Sequence, residues 1–469
     1  MDERRGKATG TTEAIATFIA GASAKDFPPG AGDAATRAIA DTFAAILAGS
    51  GAEVAEPLLR YAARPGDGGT IPLLGTGATA SPETAALVNG TFGHALDYDD
   101  VLSMMPAHPS TVILAALLAS LDGRPASGRA LIEAYVIGIE VGGKIGLGIT
   151  QGHYRRGFHA TGTLALFSAL AALAKLHRMD AATARQAFGM AASMASGLRR
   201  NFGTMTKPLH SGLAARSALT AFRLAASGFT AAPDVLEAPA GFFAAYGTPE
   251  SDPDAAARGL GRPWVIVDPG LALKKFPCCH ACHRAMDGLL SLRARLGFEA
   301  GNVERIVCRM PPGGMLALTY PRPTTGLEGK FSLEYCLAAG ALDGGYALSS
   351  FTDAAVLRAE IAALYERIEV REDPACRGDD PQYERRSSGS RGHVEVEVRL
   401  RDGRAETARV NRAPGSPERP LSWDDLRAKF LDCARHAGRV TEQSALDAFA
   451  RIQTLERQDD VWSVINSLR

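Results

Sequence analysis

The first 230 or so residues repeat one pattern, in which apolar positions at helical spacing alternate with short breaks carrying Gly, Pro or polar residues. Residues 34–47 place apolar side chains along one helix face, and Gly49 follows as a stop. Ser81-Pro82-Glu83 opens a helix through Val88. The series continues over 110–121, 128–147 (interrupted by glycines), 161–176, 181–198, 211–227 and 233–245. Period-two alternation is almost missing from this region. The pattern predicts an all-helical domain of antiparallel neighbours with short connections.

Near Trp264 the pattern changes. Residues 304–310 and 393–400 alternate apolar and polar side chains, as half-buried strands do; 401–404 make a turn and 405–410 return. Helical stretches lie between them at 282–296, 332–342 and 353–365. Residues 374–391 are polar and rich in Arg, Ser and Gly, which predicts a loop. Residues 422–469 turn helical again and are expected to pack back on the first domain. The fold class is therefore mainly α. It has a large helical domain, 1–265 completed by 415–469, and a smaller α+β domain, 266–414.

Composition narrows the function. The chain has 469 residues, 46% hydrophobic and 22% charged, with 51 Lys and Arg balanced by 51 Asp and Glu. A formal charge of zero provides no overall field for nucleic acid or anionic lipid, so no nucleic-acid partner is expected. No apolar run reaches the roughly 18 residues of a membrane span, and the opening residues lead into no signal-type core. No membrane association is expected, and the location is read as cytoplasmic. The 7 cysteines agree: Cys278, Cys279 and Cys282 crowd together, which suits free thiols in a reducing compartment better than a disulfide framework.

Candidate chemistry gathers at predicted helix starts. The clusters are Asp97-Tyr98-Asp99-Asp100 with His108-Pro109-Ser110, Gly157-Phe158-His159-Ala160-Thr161, and Thr206-Lys207-Pro208-Leu209-His210-Ser211. Lys274-Lys275-Phe276-Pro277-Cys278, running on to His283, and Lys330-Phe331-Ser332 complete them. A helix N-terminus offers unpaired N–H groups and partial positive charge, which attract carboxylate or phosphate. Ser and Thr cap helices in any case; the accompanying Lys and His are what suggest a pocket for a small polyanion. The carboxylate run lacks calcium-loop spacing. Cys278, Cys279, His280, Cys282 and His283 lie in one stretch without a second, separated pair, so zinc is not indicated and no metal is expected. There is no GxGxxG after a strand, no Walker loop and no GxSxG elbow, so no nucleotide cofactor is indicated either. His177, His393 and His436 sit in ordinary helix or strand contexts.

In order and spacing these motifs resemble the MmgE/PrpD family, which includes 2-methylcitrate dehydratase, cis-aconitate decarboxylase and iminodisuccinate epimerase. The stretches that carry the likeness are 89–100, His108-Pro109-Ser110, 157–163, 207–212, 274–278, the helix opening at His283, and Gly329-Lys330-Phe331-Ser332. Asp402-Gly403-Arg404, 414–417, Pro420-Leu421-Ser422 and Lys429-Phe430 extend it to the close. The resemblance implies that the α+β domain is a lid, that the site lies at the domain junction, that the protein is a homodimer, and that it needs no cofactor. It also implies that Asp97, His108, His159 and Lys207 are catalytic. Lys274, His210, Lys330 and His283 are expected to bind substrate.

Family reactions make or break a bond beside a carboxylate-bearing carbon. That requires cations near the developing charge and a base for the carbon-bound proton. Lys207 and Lys274 would grip carboxylates, His159 and His108 would move protons, and Asp97 would orient one of them. The expected partner is a small di- or tricarboxylate such as 2-methylcitrate or an aconitate-like acid. The decarboxylase-like pattern has Thr where this chain has Val101, and residues 97–108 are one longer and carry Met104-Met105. These departures place a hydro-lyase first, an epimerase of an iminodisuccinate-like acid second and a decarboxylase third, beside a non-catalytic metabolite binder.

Overall fold

The computed structural model describes residues 10–64, 68–381 and 383–469. At its centre lies the helix Pro109–Leu121, all 13 residues of which are buried. Its sequence is apolar on every side, which is what a helix surrounded by other helices needs. It packs against Pro82–His94, Gly128–Arg155, Ala165–Leu176 and Thr206–Ala226, with Ala31–Ser50 also in contact. The helix Gly128–Arg155 is capped by the Ser127 hydroxyl, which accepts from the Ala130 N–H at 3.2 Å, and it breaks at Thr150, where φ is 69°.

The C-terminal tail returns to this bundle. Ser422 and Asp425 form a reciprocal cap at the start of Trp423–Ala437, and that helix and Glu442–Gln453 lie on Ala31–Ser50. One hydrophobic cluster runs through the bundle and takes in Leu421 to Leu468.

A short ribbon pairs β1 (Ile71–Pro72) with β2 (Thr79–Ala80). The larger sheet contains β3 (Val303–Met310), β4 (Ile368–Glu372), β5 (Val394–Leu400) and β6 (Ala405–Val410), in the order β4-β3-β5-β6. β3 and β4 are parallel and the other pairs antiparallel; Val394 pairs with Val410 and Arg399 with Ala405. Along β5 the valines and Leu400 are buried while Glu395 and Glu397 are half-buried and Arg399 is exposed, as the alternation predicts. His283–Leu296 and Leu333–Asp343 pack with it to form a second hydrophobic cluster, from Phe276 to Ala408. Ala317 and Phe331 instead join the bundle's cluster, and they mark where the two bodies meet.

Several expected elements differ. Residues 233–245 are mostly turns, with only Phe242–Tyr246 helical, because Pro233, Pro239 and Gly241 interrupt the chain. The 353–365 stretch is two helices, Asp353–Val356 and Ala359–Tyr365. Thr206–Ala226 begins earlier than expected, so Lys207 and His210 ride on its first turns. β4 escaped notice because it is short and half-exposed. Among the described residues no single helix is long and apolar enough to cross a membrane.

One crossing decides where the chemistry falls. Pro82–His94 and Thr206–Ala226 meet nearly backbone to backbone. A Cβ on Gly212 would lie 2.1 Å from the Leu87 carbonyl oxygen, and one on Gly90 would lie 2.9 Å from the Gly212 Cα. The approach brings His94, at the end of one helix, beside Lys207, at the start of the other. Gly212→Ala should therefore lower stability by about 1–3 kcal/mol in urea unfolding, and unchanged stability would show that the helices can part freely.

Candidate active site

Asp97 follows the helix Pro82–His94 in a left-handed conformation, with φ at 53°. That conformation is unusual outside glycine and tolerable for Asp. The residue is 4% exposed. Lys207 Nζ donates to its Oδ1, and Lys274 Nζ lies 3.1 Å from Oδ2 while donating to the Asp97 backbone carbonyl at 2.7 Å. Burial alone would raise the Asp97 carboxyl, but Lys207 and Lys274 hold it well below the usual carboxylate range. In turn, burial works to lower the Lys274 ammonium, yet Asp97 and Asp99 raise it above its ordinary value. The result is a buried, ionised triad of two ammonium groups on one carboxylate.

Imidazoles surround the triad. His94 Nδ1 lies 2.9 Å from Asp99 Oδ2, and its Nε2 lies 3.0 Å from Lys207 Nζ. His108 caps the entry to Pro109–Leu121; its Nε2 is 3.9 Å from Asp97 Oδ1 and its Nδ1 is 3.5 Å from Asp99 Oδ1. His159 precedes the short helix Ala160–Thr163, and its Nδ1 meets His210 Nδ1 at 2.9 Å. One of these two nitrogens donates and the other accepts, so the accepting ring is neutral. Burial lowers His94, His108 and His159 well below the ordinary imidazole range, with nearby Lys207 adding to the effect on each. Burial, then Lys207, brings His210 down to about 4. Asp99 and Asp100 go the other way: burial raises both, Asp100 to about 8 despite the Ser110 hydroxyl bonded to it at 2.7 Å.

A cavity of about 50 Å³ opens on this cluster at the junction of bundle and lid. Asp97, His108, His159, Lys207 and Lys274 line it from the bundle side. Val101, Phe202, Ala317 and Phe331 give it an apolar wall, and Cys279, His280 and 387–389 close it from the lid. The remaining sequence candidates stand elsewhere. His210 sits behind His159 and braces it. Lys330 donates to the carbonyls of Leu96 and Pro277 at 2.9 and 2.8 Å, and burial lowers its ammonium to about 8. It holds the loops that carry the site and does not line the cavity. His283 is buried in the lid, with Nε2 3.3 Å from the Cys278 carbonyl. Of the cysteine and histidine run, the sequence offered His280 or His283 as a pocket-lining ring, and it is His280 that lines the cavity; sequence reasoning missed His94 as a site group. His94 could have been found, because it ends a helix three residues before Asp97.

Two groups of side chains have metal-ligand character. His94, Asp97, Asp99 and His108 present atoms within 4.8 Å of one another, as do Cys278, Cys282 and Cys336. In the first group the Asp97 carboxylate is already neutralised by ammonium groups, which leaves little charge for a cation. In the second, Cys336 comes from Leu333–Asp343, a thiol the local spacing could not reveal.

The fold and site define a class: a helical body and an α+β lid enclosing an acid–base cleft. The chain belongs to the MmgE/PrpD family, matching its N-terminal domain over residues 13–253 and its C-terminal domain over 276–454. It is 29% identical to the cis-aconitate decarboxylase of Mus musculus over 95% of this chain and 91% of that one. The Homo sapiens cis-aconitate decarboxylase is 29% identical over 97% and 94% of the two chains. That of Aspergillus terreus is 25% identical over 93% and 91%.

The triad sets a stability test. Lys274→Met would strand part of the Asp97 charge in the interior, costing about 3–5 kcal/mol at pH 7. With its cation gone the Asp97 carboxyl rises toward protonation, so the penalty should shrink as pH falls and the charge is lost. Denaturant titrations at pH 5 and 8 check the sign: an equal loss at both would place the effect in packing.

Proposed function

We propose that this chain is a lyase acting on a small tricarboxylate of the cis-aconitate type, by proton transfer at a carbon beside a carboxylate. The observation that carries the reading is the gathering of Asp97, Lys207, Lys274, His108 and His159 around one cavity, with both lysines and His108 on the Asp97 carboxylate. Two ammonium groups fixed at the cavity wall face the space a substrate's carboxylates would occupy. The neutral imidazoles remain free to give or take protons near pH 7.

Decarboxylation comes first among the lyase reactions. The carbon–carbon bond to the departing carboxylate breaks, carbon dioxide leaves, and the electron pair spreads toward a retained carboxylate beside Lys207. His159, with its Nδ1 accepting from His210, then gives its Nε2 proton to carbon and takes the His210 proton through Nδ1, so its ring stays neutral while solvent restores the proton on His210. Val101, Phe202, Ala317 and Phe331 suit a leaving carboxylate, because an apolar wall strips it of water. The full-length relatives named as decarboxylases support this order, which reverses the one that Val101 suggested from sequence.

Dehydration of a 2-methylcitrate-like acid is the second reading. The separate imidazoles of His108 and His159 favour it, since one can remove the proton while the other protonates the leaving hydroxyl. Epimerisation needs the same pair.

Purified protein should release carbon dioxide from cis-aconitate. Absorbance change with 2-methylcitrate and no carbon dioxide would move the assignment to dehydration, and deuterium uptake into iminodisuccinate alone would move it to epimerisation. His159→Gln should lower kcat by about 10²–10⁴ with KM little changed. Lys207→Ala should raise KM or abolish turnover. Activity equal to the parent in both variants would remove the cavity from the chemistry.

A further inference from the structure

On the far side of His280 from the catalytic cavity lies a second, smaller one, of about 30 Å³, between the lid and the 411–418 segment. Three guanidinium groups, those of Arg284, Arg386 and Arg412, line it beside the His280 imidazole, against one carboxylate, Glu418. Glu418 is already engaged by Arg412 Nε at 2.9 Å and stands 3.9 Å from Arg386, which also pairs with Asp380 at 3.1 Å.

Arg284 has no such partner among the described residues. It is 1% exposed. Its Nη1 donates to the carbonyls of Arg391 and Gly392 at 2.8 and 3.0 Å, which fixes the guanidinium, while Nε and Nη2 have no hydrogen-bond partner. Burial brings the guanidinium down to about 10 and Arg412 pushes the same way; the main offsets are the Cys308 and Cys376 thiols and the Tyr383 phenol. Two more buried groups on the same wall lack partners: both ring nitrogens of His280 and the Ser416 hydroxyl. Gly389 backs His280 so closely that a Cβ there would lie 2.8 Å from Nδ1. A fixed, buried, unpaired guanidinium is costly unless an anion answers it. Its free edge, Nε–H beside Nη2–H, is the pair that grips a carboxylate with two parallel hydrogen bonds.

We propose that Arg284, His280 and Ser416 form an oxyanion subsite that takes a carboxylate and communicates with the catalytic cavity through His280. The carboxylate comes either from the far end of a ligand seated in the catalytic cavity or from a separate small anion. The first source rests on the polycarboxylate reading above; the second does not. Either way the test reads binding and not turnover, so a protein that releases no carbon dioxide can still pass it.

Calorimetry at constant ionic strength would compare propane-1,2,3-tricarboxylate, succinate and acetate on the parent, Arg284→Gln and Ser416→Ala. A ligand reaching across from the cavity predicts that Arg284→Gln weakens the tricarboxylate about 10-fold and succinate less than about 2-fold. A separate anion predicts an Arg284-dependent acetate site with both longer acids unaffected. Ser416→Ala, which leaves the Arg284 contacts to the loop intact, should weaken the same ligand about 3-fold and decides the matter if Arg284→Gln does not fold. Parent-like binding of all three acids by the folded variants would overturn the subsite. So would bromide-soaked crystals of the parent showing anions at Lys207 and Lys274 but none at the free edge of Arg284.

Discussion

The carboxylate of Asp97 is the constraint on which the site depends. Three segments distant in sequence end on it: the end of Pro82–His94, the start of Thr206–Ala226 through Lys207, and the strap carrying Lys274. An isolated buried charge would be intolerable here, and an isolated buried ammonium equally so. Together they hold one another in the ionised state, with Asp97 lowered and Lys274 raised. The left-handed backbone at Asp97 turns its carbonyl to Lys274 as well. A second buried pair stands behind the first. Lys429, from the C-terminal helix Trp423–Ala437, meets Asp41 at 2.7 Å and donates to the carbonyls of Tyr98 and Lys274, each at 2.8 Å. The tail thus does more than complete the bundle. It holds the two strands of backbone between which the triad is strung.

From that arrangement the state of the histidines follows. Desolvation disfavours an imidazolium, and two fixed ammonium groups disfavour it further. His94, His108, His159 and His210 are therefore neutral where an exposed imidazole would be half protonated. On the proposed reading, the lysines keep the positive charge that would meet ligand carboxylates, the imidazoles keep a lone pair and an N–H for proton transfer, and the same burial divides the two tasks between residue types.

The helices were legible because their apolar spacing is regular; the polar clusters stood out at predicted helix starts, and the family resemblance singled out Asp97, His108, His159, Lys207 and Lys274 within them. Those five meet at one cavity. Lys330 carries the same signature of a cation beside a helix start, yet its ammonium is consumed by the Leu96 and Pro277 carbonyls. No local pattern distinguishes a lysine that grips a ligand from one that grips a loop, because the difference lies in which distant carbonyls come near. His280 was the reverse case. In sequence it read as one member of a Cys and His run, and only the packing of 387–389 and Arg284 around it shows a ring with both nitrogens unpartnered. Pro233 to Ala245 failed as a helix for a simpler reason, since composition favoured it while Pro239 and Gly241 forbade it.

The site draws on two kinds of support, and they differ in how freely they can change. Asp97, His108, His159 and Lys207 stand at helix ends and Lys274 on the strap before His280, in positions set by the glycine contact between Gly90 and Gly212 and by buried ion pairs. Moving any of them means repacking the bundle, where the interior is dense and intolerant of added volume. The opposite wall is made of lid loops, with Cys279 and His280 ahead of His283–Leu296 and residues 387–389 in an irregular segment. Loops accept substitution far more readily than packed helices do. On the proposed reading, a fixed proton-transfer apparatus facing an adjustable wall places the reaction type in the body and the choice of acid in the lid. Substrate preference should therefore be read from His280, Arg284 and their neighbours before it is read from the lysines.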